Sequence, residues 1–180
     1  MDKMTYDMLV IGSGIAGLTF ALKIADRHKV AVVTKKEKVE TSTNYAQGGI
    51  ASVLSPDDSF DLHTQDTLNS GDGLCNPDVV EMVIKDGPNR IQELAEMGVR
   101  FQLSQQDSVP FDLAREGGHS RSRIVHSHDM TGREVERVLV AMAENHPNIS
   151  IFENHIAVDL IVECHLLKRG LRTTQRQERC

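Results

Sequence analysis

Residues 5–17 read TYDMLVIGSGIAG, and the rest of the chain is arranged around them. Met8 to Ile11 is a short apolar run with the composition of a strand buried on both faces. It runs straight into Gly12-Ser13-Gly14-Ile15-Ala16-Gly17, where a helical pattern opens at Ile15 and continues to about Arg27. A GxGxxG carries meaning in this strand–turn–helix setting. Gly12 permits the tight turn, Gly14 lets a pyrophosphate reach the backbone, and Gly17 lets helix pack closely on strand. The helix start adds free N–H groups and a partial positive charge. Leu18, Ala21, Leu22 and Ala25 make the inner helix face, and Val30 to Val33 supplies a second strand that completes a βαβ unit. The competing reading is an ordinary βαβ turn without a ligand.

The bulk composition narrows the class. In 180 residues, 39% are hydrophobic and 26% charged, as expected of one soluble globular domain with a real core. A net charge of −6 and the absence of Trp argue against nucleic acid or an anionic membrane as partner. No apolar run approaches a membrane span, and the glycine turn begins too early to leave room for a signal peptide. Cys75, Cys164 and Cys180 are far apart and odd in number, so they read as thiols in a reducing cytoplasm, without disulfide or zinc site.

After the second strand stands Thr34-Lys35-Lys36, with Glu37 later than a ribose-binding acid usually stands. Lys35 suits the 2′-phosphate of NADP, the adenosine side of FAD, or a solvated strand end, and spacing alone leaves all three open. Residues 41–52, TSTNYAQGGIAS, form a polar loop that can bring main-chain N–H groups to a ring or phosphate, or merely connect two elements. Asn76-Pro77 reads as N-cap and first helical residue, with Val79, Val80, Val83 and Ile84 as one apolar face. Gly87-Pro88 predicts a break, followed by a second helix with Ile91, Leu94 and Ala95 inside and Gly98 as its cap. Residues 102–110 read as loop.

Residues 112–129, DLAREGGHSRSRIVHSHD, concentrate Arg115, Glu116, His119, Arg121, Arg123, His126, His128 and Asp129 around a Gly-Gly turn. They read either as a solvated surface or as a site that orients a small charged molecule. The alternation of His126 and His128 predicts one strand face, which His119 could join, yet the spacing does not make a convincing metal site and none is expected. Thr131 to Glu134 reads as a capping box, leading a helix over 132–145 with Val135, Val138, Leu139 and Met142 inside. Strands are predicted over 149–152 and 156–162. The last sixteen residues hold five Lys or Arg and little periodicity, so 1–164 is expected to be the folded unit and 165–180 a disordered tail or the product of an altered reading frame.

GSGIAG, TK, STNYAQGGIAS, LAREGGHS, DMTGREVE and AVDLI occur in that order. Together, over about residues 5–163, they resemble the L-aspartate oxidases of the succinate dehydrogenase/fumarate reductase flavoprotein family. The resemblance implies an α/β, Rossmann-like FAD-binding domain with a parallel sheet, incomplete relative to the family. It implies FAD, with Ser13, Gly14, Ile15 and Ala16 on the pyrophosphate, Gly12 and Gly17 completing the cofactor-binding turn, and Lys35 near the adenosine. Ser42, Thr43, Asn44, Tyr45, Ala46, Gln47, Gly48 and Gly49 would run along the flavin, and Ile156 and Ala157 would face the adenine. Glu116 would be the catalytic-site residue that orients L-aspartate through its ammonium. The implied reaction is oxidation of L-aspartate to iminoaspartate in NAD biosynthesis, with oxygen or fumarate as acceptor and quinolinate synthase as a partner enzyme. Succinate dehydrogenases carry a flavin-linked histidine at the position of Ser42, so non-covalent FAD is expected here. The family's substrate-binding arginines find no match in this sequence. The alternatives are a catalytically inactive FAD-binding fragment and, on Lys35 and Lys36, an NADP-dependent reductase.

Overall fold

The structure is a computed structural model that describes residues 4–105, 108–128 and 130–160. The predicted tail, and the end of the strand expected over 156–162, lie outside the described residues. β1 (Met8–Ile11), α1 (Ile15–Ile24) and β2 (Val30–Val33) form the expected βαβ unit, with Met8 opposite Val30 and Ile11 opposite Val33 in parallel register. β6 (Ile149–Phe152) adds to the far side of β2, also parallel, so the order is β1-β2-β6. The central strand Val30-Ala31-Val32 is buried, as a strand flanked on both edges and covered by helices must be.

β1 departs from the expectation of burial on both faces. Val10 is covered, but Leu9 is 55% and Ile11 56% exposed. β1 is an edge strand, and among the described residues helices α1 and α4 (Thr131–Asn145) cover only the Val10 side. Leu18, Ala21, Val135, Val138, Leu139 and Ala143 fill the layer between those helices and the sheet.

A second, antiparallel sheet orders β3 (Ile50–Ala51), β5 (Ile124–Val125) and β4 (Leu113–Ala114) as β3-β5-β4. Beside it lie α2 (Phe60–Ser70) and α3 (Pro77–Glu96), packed on each other. The stretch expected as loop holds a bridge between Leu103 and Phe111, and Phe101 meets Phe111 edge-on at 5.4 Å.

Five local expectations are corrected. The Asn76 carboxamide does accept the N–H groups of Asp78 and Val79, but α3 continues through Gly87-Pro88 instead of breaking. Proline removes one helical bond, and burial of Ile84 on one side with Ile91 and Leu94 on the other offsets it. Gly87 serves close approach, since a Cβ there would stand 3.2 Å from Ser52 Oγ. The inner face also differs: Val79 and Val83 are exposed, and only Ile84 of the predicted set is buried. At α4 the capping box does not form. Met130 is the N-cap, the Thr131 hydroxyl accepts the Ser127 N–H, and Glu134 accepts the Arg100 N–H. Met142 is exposed, and residues 156–160 form no strand. No helix among the described residues is long and apolar enough to cross a membrane.

Candidate functional site

The glycine turn has the geometry its sequence implies. Gly12 adopts φ +106°, where a side chain would be strained, and its N–H donates to Val33 O at 2.8 Å. A Cβ on Gly17 would stand 2.1 Å from Gly12 O, so only glycine lets α1 start this close to the turn. No side chain of Gly14, the N-cap, closes the helix start, and the Ile15 N–H donates to Thr43 Oγ1 at 3.0 Å. The Ser13 hydroxyl is buried, donating to the Lys38 carbonyl at 2.9 Å beside the Thr34 hydroxyl. Only the Ser13 backbone therefore faces the turn's open side.

A cleft of about 450 Å³ opens over this turn. Gly12 to Gly14 form its floor, Thr34 and Lys35 one wall, Thr41 to Thr43 another, and His155 to Ala157 the far side. Four stretches distant in sequence thus meet at one place. The His155 N–H donates to Thr34 O, which holds the 155–157 segment beside the end of β2.

The 41–49 segment leads from this cleft to a second. Thr41 Oγ1 accepts the Asn44 N–H, and the Tyr45 hydroxyl donates to Glu40 at 2.8 Å. The segment lies directly on α4: a Cβ on Gly132 would overlap Thr43 O, and the Gly132 N–H donates to Ala46 O at 3.1 Å. It then enters β3 through Gly49, whose Cβ would stand 2.3 Å from Val125 O. The second cleft, about 570 Å³, is lined by Gln47, Gly48, Gly49, Ala114, Glu116, Ile124, His126 and His128. A Cβ on Gly48 would meet Glu116 Oε1 at 3.3 Å, so the carboxylate lies against the loop's glycines.

The turn that carries Glu116 is fastened from below by a cluster the sequence did not reveal. Arg123 is fully buried and binds Asp58 with two parallel bonds of 2.8 and 2.7 Å and Asp66 at 2.7 Å. Asp66 also accepts the Ser120 N–H and hydroxyl, and the Ser120 N–H first, then the hydroxyl and Arg123, hold its carboxyl down at about 2 against the cost of burial. Burial, then the Arg123 charge, push the neighbouring His63 imidazole below its ordinary value.

The expected histidine face is corrected. β5 ends at Val125, His128 adopts φ +48°, His126 faces Asp112 at 3.2 Å, and His119 packs edge-on against His63. Among the described residues no group of three His, Cys, Asp or Glu could hold a metal. Asp58, Asp66 and Glu136 were not singled out by sequence. For Glu136 a signal existed: it falls in the buried stripe Gly132, Glu136, Val140, Ala143, a carboxyl at helical spacing among small and apolar residues.

The glycine turn fits a dinucleotide: Gly12 takes a positive φ, Gly17 is packed by backbone, and Gly14, the N-cap of α1, adds no side chain at the helix start. Comparison with known proteins agrees. The FAD binding domain model matches residues 7–177. L-aspartate oxidase 2-b, chloroplastic, of Nicotiana tabacum is 52% identical over 156 residues, covering 87% of this chain and 24% of the relative. L-aspartate oxidase of Yersinia pestis is 46% identical over 172 residues, covering 94% of this chain and 32% of the relative. A mutant of quinol fumarate reductase FrdA from E. coli superimposes with TM-score 0.81 at 29% identity, over 91% of this chain and 28% of that one. The chain thus spans about a quarter to a third of the lengths of these curated relatives. With the cradle and the comparisons in agreement, the chain belongs to the FAD binding domain family, and its cofactor is FAD.

Proposed function

We propose that this chain is the FAD-binding part of an L-aspartate oxidase. One observation carries the reading: the 41–49 segment joins the dinucleotide cleft at Thr41 to Thr43 to the Glu116 cleft at Gln47 to Gly49. A dinucleotide lying along it would present its ring beside a single carboxylate. The reaction removes two electrons and two hydrogens from the Cα–N bond of L-aspartate, leaving iminoaspartate, and bound FAD supplies the electron acceptor. The residues of the chain hold and orient. Ser13 to Ala16 would lie on the pyrophosphate, with Gly12 and Gly17 shaping the turn, Lys35 would stand beside the adenosine, and Ile156 and Ala157 would offer main-chain groups to the adenine. Glu116 takes the substrate ammonium, a charge-assisted contact that a succinate molecule cannot make. Oxygen or fumarate would be the final electron acceptor, and quinolinate synthase is the expected partner for the unstable imine product. The cytoplasm is the proposed compartment; the tobacco relative is named chloroplastic.

A second reading has its own support. A dicarboxylate needs planar cationic partners, and all three arginines nearest Glu116 are engaged. Arg115 donates to His119 O, Arg121 to Asp57 O, and Arg123 to its two aspartates. The chain then binds FAD without oxidising aspartate. The deciding experiment is to express residues 1–180, record the flavin spectrum and assay peroxide with L-aspartate. Colour with peroxide supports the oxidase, colour alone the binding module, and an absence of colour refutes both. Where aspartate binding is seen as a flavin spectral perturbation, Glu116→Gln should weaken aspartate by roughly tenfold or more while leaving succinate within about twofold. Equal losses on both ligands would remove the ammonium role.

Ser42 has no imidazole to join a flavin, so acid precipitation should leave the yellow colour in the supernatant. Colour retained in the protein pellet would show a covalent bond and overturn that expectation.

A further inference from the structure

Glu136 projects from α4 one turn beyond Gly132, on the same face, towards the 41–46 segment that Gly132 supports. Its residue is only 1% exposed, and among the described residues neither carboxyl oxygen makes a well-formed hydrogen bond, although the Thr41 hydroxyl of the segment stands near it. An ionised carboxylate in that state would lack compensation, whereas the uncharged acid can stay buried. The segment above it carries Thr41 to Thr43, one wall of the dinucleotide cleft. We propose that Glu136 is a positioning residue for FAD, seating the 41–46 segment on α4 as an uncharged acid and loosening it once ionised. The inference rests on the cradle being the FAD site.

Burial pushes the Glu136 carboxyl up to about 7, with the nearby Thr41 hydroxyl acting the other way. The other charged and titratable groups around the same groove come from three directions. From the loop side come Lys38 and Tyr45. Lys38 is raised by its bonds to Glu153 and Glu144, and Tyr45 is raised by its bond to Glu40. From α4 come Arg133, Glu134, Arg137 and Glu144, with Glu134 lowered first by its Arg137 bond. His128 comes from the segment before α4, and it is unchanged in any Glu136 variant, so the variant isolates Glu136 from it.

The sign follows from linkage. The unfolded carboxyl ionises at its ordinary value and the folded one later, so seating is full on the acid side. Seating weakens as pH rises past the ordinary value, and above about pH 7 the segment carries a buried charge unless it lifts. Where lifting abolishes binding, the FAD dissociation constant rises by up to about tenfold per pH unit between the ordinary carboxyl value and about 7, and levels off above it.

The test measures FAD binding by flavin fluorescence from roughly pH 4.5 to 8, together with amide-exchange protection of residues 39–47 without FAD. In the natural chain the dissociation constant should rise and the protection fall with pH. In Glu136→Gln, neutral and of the same shape, both should be flat; Glu136→Leu serves the same purpose if the glutamine variant does not fold. An unchanged pH dependence in these variants, or none in the natural chain, overturns the inference. Absence of FAD binding at every pH would instead sink the cradle reading, and the exchange data would still decide the role of Glu136.

Discussion

Arg123→Ala is expected to destabilise the chain by about 3–5 kcal/mol, the usual result of stripping the cation from a buried ion cluster. The side chains of Arg123 and Asp58 are both fully inaccessible, and Asp66 is largely so. With the guanidinium gone, two carboxylates share an interior that otherwise offers them only the Ser120 N–H and hydroxyl and the Ser59 N–H. Urea unfolding would read the loss, and a result under about 1 kcal/mol would show that the cluster is not what holds these elements. Adding Asp58→Asn and Asp66→Asn should recover part of it by removing the unpaired charge. Functional effects should concentrate at Glu116, because Ser120 ties that turn to α2 through Asp66. The same geometry predicts acid sensitivity. Asp66 sits at about 2 when folded, below its ordinary value, so its stabilisation is complete above the ordinary value and is lost as pH falls towards 2.

Gly17→Ala is expected to abolish tight FAD binding, by roughly 100-fold or more, because a sub-ångström fit at the turn is displaced. Its Cβ would stand 2.1 Å from Gly12 O and 3.2 Å from Val10 Cγ1, so either the turn or β1 must move. Overpacking backbone against backbone cannot be relieved by a side-chain rotation, and a stability loss of about 3 kcal/mol is expected with it. Gly117→Ala is the matched control, since a Cβ there meets nothing within 4 Å. Flavin fluorescence titration of both variants, with thermal unfolding, separates the outcomes. FAD affinity unchanged in Gly17→Ala would mean that the cofactor does not rest on this turn.

The sequence alone determined whatever depends on neighbours in the chain. The strand–GSGIAG–helix unit was legible because each glycine answers a constraint set within a few residues. The Asn76 cap, β2, β6 and the limits of α4 were legible on the same ground. Local patterning failed where the outcome depended on what lies opposite. Gly87-Pro88 looks like a break until Ile84, Ile91 and Leu94 are seen buried along one helix. Met8 to Ile11 looks like a central strand until it is found at an edge. Thr131 looks like a cap until Ser127 claims its hydroxyl.

The candidate site divides the same way. The cofactor residues came from motifs and from the resemblance they carry, but the tertiary structure alone brought residues 12–14, 34–35, 41–43 and 155–157 to one cleft. It alone paired Arg123 with Asp58 and Asp66 across more than fifty residues, and it alone sealed Glu136 beneath the 41–46 segment. Backbone conformation is set by short-range sterics, which a sequence displays. Burial and charge pairing are set by which distant surfaces meet, and that is decided only when the chain has packed.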